Sequence, residues 1–312
     1  MNGHLFDSMG GAMNDLLLTA SFSDVKSRIQ ELAKQINTAS MVHIHAPADL
    51  SGLLALSMLE SAFLDTGIQY HRRFLPSHQS IPRDERVQPE LPSSGLLIFI
   101  DPFEDTWTLP ELPETEFIHI TPLSVTVRLG STQSERRGAL DVVAQCAALA
   151  AELVPNGQKV RLLRPFASTG LWLREALDTT FDPIHTSIRD HLHAEGSFRM
   201  VPLPEVPSPA PEMIPSLSER MLSRLQKGWP KMDAASRASA LSELILPTLV
   251  NPTLSTPRLE ELVWHRLVIG TSDVDVMSQV FLAEKAWPDD VVQAKIHASK
   301  LADLFLKTGL LQ

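Results

Sequence analysis

The stretch MVHIHAPADLSGLLALSMLESAFLDTGI, Met41 to Ile68, decides the fold. Val42 and Ile44 alternate with His43 and His45, which is the period of a strand and puts both imidazoles on one face. Pro47, Ala48 and Asp49 form a short turn. An apolar helix follows and stops at Gly67, which is suited to the left-handed position that ends a helix. Strand, polar turn and helix in this order form the unit from which open α/β proteins build ligand sites.

Working outward, SFSDVKSRIQELAKQI reads as an amphipathic helix before the strand, with Ser23 as its cap and Val25, Ile29, Leu32 and Ile36 on one face. IQYHRRFLP reads as a second strand. GLLIFID is a nearly continuous apolar run ending in Asp101, as a buried parallel strand should be. TEFIHIT is a further strand. Arg136 to Leu153 reads as an Ala-rich helix, with Ser134 to Arg137 at its start, and Val160 to Leu163 as a last strand. This alternation predicts an α/β domain over residues 21–200: a mostly parallel sheet with helices on both faces. Residues 1–20 read as a loose lead-in.

Composition changes at VPLPEVPSPAPEMIPS, where six prolines between residues 201 and 216 predict an extended linker. Beyond it the pattern predicts a small all-helical domain over 217–312. Its helix starts are a capping box at Ser216 to Glu219, a cap at Thr256 with Pro257 next, a cap at Ser272, and a helix from Asp290 to Leu311.

The 312 residues are 44% hydrophobic and 21% charged, so a packed core is expected. A net charge of −10 argues against a chain whose main task is gripping nucleic-acid phosphates. The one cysteine, Cys146, excludes an intrachain disulfide and a Cys-type zinc site. The first twenty residues hold no early Lys or Arg, and no apolar run is long enough to span a bilayer, so an intracellular chain with no membrane partner is expected.

Two acids fall at strand ends, Asp49 and Asp101. For Asp49 the competing readings are a helix N-cap and a vestigial metal ligand. For Asp101, followed by Pro102, they are a ligand and a turn former. His43 and His45 are either metal or phosphate contacts or core histidines. Tyr70, His71, Arg72 and Arg73 form the densest basic patch, a candidate nucleic-acid contact with Tyr70 stacking on a base, or else a salt-bridged edge. Arg161, Arg164 and Arg174 add a weaker one. Trp229, Trp264 and Trp287 read as core or interface residues. HAPADLSG has one glycine and is no phosphate loop, which disfavours a nucleotide-binding regulator.

The order His45, Asp49-Leu-Ser-Gly52, LLIFID ending at Asp101, and FIHIT resembles the DHH phosphoesterase superfamily of RecJ-like proteins, over about residues 40 to 170. That family's first motif is Asp-x-Asp-Gly. Asp49 and Gly52 match it, but Ser51 replaces its second acid and Pro47 an acid or histidine. Asp101 matches the second motif. Thr121 and Pro122 stand near the place of Asp-His-His, and RLLRPFASTGLWL offers no acid for the fourth motif. Two acids and one histidine would hold one ion loosely and could not clamp two. The resemblance therefore implies a pseudoenzyme without catalytic residues or cofactor, in which His45, Asp49, Ser51 and Asp101 are vestigial metal positions. The non-catalytic RecJ-like subunits of the archaeal and eukaryotic CMG replicative helicase are of this kind. The implied role is a DNA-replication scaffold bridging GINS and MCM at the nucleoid or in the nucleus, with single-stranded DNA as a further candidate contact. Its rival is a manganese- or magnesium-dependent phosphoesterase or nuclease acting on single-stranded DNA or short oligonucleotides.

Overall fold

The computed structural model describes residues 16–77, 79, 81–82, 85–86, 89–104, 117–129, 134–173, 182–250, 254–270 and 272–312, apart from the side chains of Leu129 and Val250. Contacts divide the chain into two units. The first comprises Met1–Arg174, Asp182–Ser197 and Ala286–Gln312, and the second Glu175–Phe181 and Phe198–Lys285.

In the first unit, Leu16–Leu18 and Ala20–Phe22 form 3-10 turns that bury Leu16, Leu17 and Phe22, so this part of the lead-in is packed. Helix α1 (Lys26–Thr38) buries Ile29, Leu32 and Ile36 as its spacing requires. It starts at Val25 with no side-chain cap, and the Ser23 hydroxyl bonds back to the Ala20 carbonyl instead. Strand β1 (Val42–Pro47) leads into α2 (Leu50–Thr66), which ends at Gly67 with φ 76°. Nearly every residue of α2 to Phe63 is buried, because it packs against β1 and also against other helices of this unit.

Strands β2 (Tyr70–Leu75), β3 (Leu96–Ile100) and β4 (Phe117–Ile120) join β1 in a parallel sheet of order β2-β1-β3-β4. Strands β5 (Leu123–Leu129) and β6 (Ser134–Leu140) form an antiparallel pair. The expected helix from Arg136 therefore begins later, as α3 (Val142–Leu153). Asp141 sets that start by accepting from Val143 N and Ala144 N, and the charged residues before it pair with β5 instead.

The expected strand at Val160 to Leu163 is helix α4 (Gln158–Leu163). Its free N–H groups at Lys159 and Val160 are taken by the Asp65 carboxylate from α2, a cap 94 and 95 residues away that local pattern could not reveal. Helices α5 (Thr169–Leu173) and α6 (Pro183–Ala194) complete this stretch.

The second unit contains β7 (Arg199–Val201), α7 (Glu219–Gly228), α8 (Ala234–Ile245), α9 (Thr256–Trp264), β8 (Arg266–Ile269), β9 (Val274–Asp275) and α10 (Val276–Lys285). The C-terminal part is thus mostly helical, but β7, β8 and β9 form an antiparallel sheet within it. A run as short as RLVI, three apolar residues after Arg266, does not by itself distinguish strand from helix. The proline-rich stretch is packed here: it makes 3-10 turns at Leu203–Glu205 and Pro211–Met213 and buries Leu203, Val206, Met213 and Ile214. Proline is excluded from a helix interior without being barred from burial, and Val206 clusters with Val201 and Val268.

The caps shift by a residue or two. Ser218 caps α7, with Ser216 at φ 63°, and Ser255 caps α9. Ser272 lies in the β8–β9 turn, while the Asp275 carboxylate accepts from Ser278 N at the head of α10. The last helix, α11 (Val291–Thr308), forms where expected, with Asp290 as its cap, but belongs to the first unit, where it packs on α2, α4 and β2.

Candidate functional site

The order β2-β1-β3-β4 places β1 between the strand that follows it and the strand after that, so neighbouring connections diverge at the ends of β1 and β3. In parallel sheets this switch point opens a crevice beyond the strands' carboxyl ends. Asp49 follows β1 and Asp101 follows β3, so both acids lie at this point.

The turn into α2 is tight. Ala48 N bonds the Leu75 carbonyl at 2.7 Å, which carries the β1–β2 ladder one residue beyond the strand. Asp49 then caps the helix: Oδ1 accepts from Gly52 N at 2.8 Å. Its Oδ2 accepts from the Ser77 hydroxyl at 2.7 Å. Gly52 is fixed by space, since a Cβ there would lie 2.3 Å from the Pro47 carbonyl oxygen. Ser51 is half-exposed in the first turn. Asp101 is 4% exposed, and its Oδ1 accepts from Phe103 N at 3.1 Å, a turn-forming bond. At the end of β4 stand Thr121 and Pro122, with no acid; the Thr121 carbonyl accepts from Gln145 Nε2 at 2.7 Å.

The two histidines of β1 do share a face. Register aligns His43 with His71 and His45 with Arg73 on β2, and His45 with Phe99 on β3, which in turn aligns with His119 on β4. Arg73, His45, Phe99 and His119 thus form one row across the sheet. His119 stacks on Phe99 with centroids 5.1 Å apart and planes 16° from parallel. His43 and His71 rings lie 5.9 Å apart, and His43 Nε2 is 3.2 Å from the Ser94 carbonyl. His45 is 7% exposed. Burial, followed by the charges of Arg73, His43 and His71, lowers its pKa to about 4, so it is neutral at pH 7. Its Nδ1 has no hydrogen-bond partner among the described residues.

The same alternation divides the Tyr70 to Arg73 patch. Tyr70 and Arg72 point to the α2 side, where they meet Glu60. The Tyr70 hydroxyl donates to Glu60 Oε1 at 2.7 Å, Arg72 Nη1 donates to both Glu60 oxygens at 3.0 and 3.2 Å, and Arg72 Nη2 donates to Asp303 of α11 at 2.7 Å. Burial raises the Glu60 pKa against the opposing pull of Arg72 and Tyr70, and burial followed by Glu60 raises that of Tyr70. These two side chains therefore hold the sheet to its helices and are not offered to nucleic acid. His71 and Arg73 are exposed on the other face.

The weaker basic patch also disperses. Arg164 is 1% exposed and paired with Glu195 at 2.8 Å, and Arg161 donates to Asn156. Arg174 lies outside the described residues. Of the tryptophans, Trp229 is buried and donates to Glu205, and Trp264 is 39% exposed. Trp287 donates to the Ala48 carbonyl at 3.0 Å, in the turn itself.

A divalent ion asks for several oxygen or imidazole ligands. Among the described residues no group of three or more His, Cys, Asp or Glu is gathered to hold one. Asp49 spends both oxygens within the protein and Asp101 spends one on its own turn, so the donor set among the described residues does not fit a two-metal centre. Sequence reasoning missed Glu60 and Ser77, and it singled out Trp287 as a core or interface residue without its place at this turn. Glu60 left a trace, as an acid in the middle of an apolar helix that would need a buried partner. Ser77 left none, and nothing local tied Trp287 to Ala48, because their partners are remote in the chain.

No family model and no curated protein matches the chain. Among solved structures it is similar to the crystal structure of RecJ in complex with Mn2+ from Thermus thermophilus, at a TM-score of 0.32 and 12% identity. The match covers 81% of this chain and 37% of that one, so the chain spans little more than a third of the length of the protein it matches. No helix among the described residues is long and apolar enough to cross a membrane.

Proposed function

We propose that this chain is a RecJ-like protein of the DHH type that does not hydrolyse phosphoesters and acts as an interaction scaffold in DNA replication, joining GINS to MCM. The observation that carries the non-catalytic part is the closure of Asp49 on Gly52 N and Ser77. A carboxylate held on both oxygens by its own helix start and a neighbouring hydroxyl is a cap first, and freeing it for an ion would undo the turn. The missing acids at Pro47, Ser51 and Thr121 agree with this. The partner assignment rests on the motif resemblance and is tested by co-purification with GINS and MCM subunits. A folded chain that binds neither ends the replication assignment.

A second reading has its own observation. Asp49 and Asp101 end neighbouring strands at the switch point, beside a buried histidine whose Nδ1 has no partner among the described residues. That arrangement favours a single-ion phosphoesterase using manganese or magnesium on single-stranded DNA or short oligonucleotides. Manganese-dependent cleavage of such substrates, abolished by Asp49→Ala, would establish it and remove the scaffold as the leading reading.

A further inference from the structure

The second unit carries a feature that the strand-end site does not explain. On α7, Arg220, Arg224 and Lys227 follow one another at spacings of four and three residues, and Lys231 continues the series four residues on, in the 3-10 turn Trp229–Lys231. On a helix this spacing makes a single stripe. All four are exposed, while Leu222, Leu225 and Trp229 are buried on the opposite side.

Four other cations of this unit are treated differently. Arg199 pairs with Asp273, Arg237 with Glu205, Arg266 with Asp275 and Lys285 with Glu212. Among the described residues, Arg220, Arg224, Lys227 and Lys231 have no such partner. Like charges three and four residues apart on a helix repel each other, so the stripe is unfavourable until an anion meets it. The chain as a whole carries −10, so this row is not the overflow of a basic composition.

We propose that the basic face of α7 is a docking surface for the sugar-phosphate backbone of duplex nucleic acid. A row of four cations, with Met221 at its edge as an exposed apolar neighbour and no aromatic residue in it, favours this partner over a protein, whose interfaces rest on a hydrophobic core with aromatic residues. The stripe holds no aromatic ring to stack on an unpaired base, which single-strand sites use. A duplex offers the denser row of phosphates and needs no base contact. Such binding is independent of sequence and involves no ion or bond cleavage, so it does not rest on the scaffold reading.

The test is fluorescence anisotropy of the full chain with a short labelled duplex in EDTA, over a salt series. Four phosphate contacts give a slope of log K against log salt of about −3.6, and Arg220→Gln with Lys227→Gln halves it to about −1.8. Both side chains are exposed, so the double variant keeps its circular dichroism spectrum and melting temperature. No duplex binding at low salt overturns the proposal. So does a slope unchanged in the double variant, or tighter stripe-dependent binding of the single strand or of poly-glutamate. Because no hydrolysis or GINS binding is read, failure here leaves the proposed function where it stood.

Discussion

The indole nitrogen of Trp287 donates to the carbonyl of Ala48 across 239 positions of sequence, at 3.0 Å. Ala48 is the middle of the turn between β1 and α2, so the start of the last segment is fastened to the candidate site. The Trp287 ring also meets His297 of α11 edge-on, 5.0 Å away.

Trp287→Phe keeps a ring against His297 but leaves the Ala48 carbonyl, in a residue 3% exposed, without this donor. A buried acceptor stripped of its partner costs about 1–3 kcal/mol, which should appear as a lower urea midpoint with unchanged slope. Amide exchange at Asp49 to Gly52 should speed up more than at α6, which lies outside the fastening.

Asp49→Ala should cost about 1–2 kcal/mol, the usual loss of a helix cap, whereas Asp49→Asn should cost little because asparagine caps as well. Gly52→Ala should be worse than either. Its methyl would meet the Pro47 carbonyl at 2.3 Å, so the turn must open, at about 1–3 kcal/mol or more. Chemical denaturation of the three variants checks the order, and an Asn variant as damaged as the Ala variant would argue that the charge at Asp49 is itself needed.

On β2, the split of the basic patch predicts unequal mutants. Arg72→Ala leaves Glu60, 4% exposed, with only the Tyr70 hydroxyl among the described residues, and should cost about 3 kcal/mol. His71→Ala and Arg73→Ala, both exposed, should stay within about 0.5 kcal/mol. Thermal melts decide this directly.

Two windows of acid destabilisation are expected. The folded His45 pKa of about 4 lies below its ordinary 6.5, so the unfolded chain binds the proton first and stability falls as pH drops from 6.5 towards 4. An NMR titration should find the His45 imidazole midpoint near 4.

Glu195 supplies the lower window. Burial works to raise its pKa, but hydrogen bonds from His191 and Arg164, the Arg164 charge and the Ser197 hydroxyl bring it to about 2, from 4.5. A carboxylate with a depressed folded pKa stabilises above its unfolded value and loses that contribution as pH falls from 4.5 through 2. The whole effect is about 3 kcal/mol. Glu195→Gln should lose a similar amount at pH 7 and abolish this dependence, as read from urea unfolding across the pH range.

The sequence by itself determined the strand-turn-helix from Val42 to Thr66, the strands at Tyr70, Leu96 and Phe117, and the stop at Gly67. Each is written in local periodicity and in residues with narrow backbone preferences. It also placed Asp49 and Asp101 at strand ends and left open whether they were ligands or local hydrogen-bonding groups. Tertiary structure alone supplied the strand order that makes their ends a switch point and the Ser77 hydroxyl that occupies Asp49's second oxygen. It alone divided Tyr70 and Arg72 from His71 and Arg73 by giving one face of β2 to Glu60. It also made a helix of Val160 to Leu163 by lending it Asp65, and returned α11 to the first unit. These outcomes depend on partners tens to hundreds of residues apart, and a local pattern records what a side chain can do without recording which distant group it will meet.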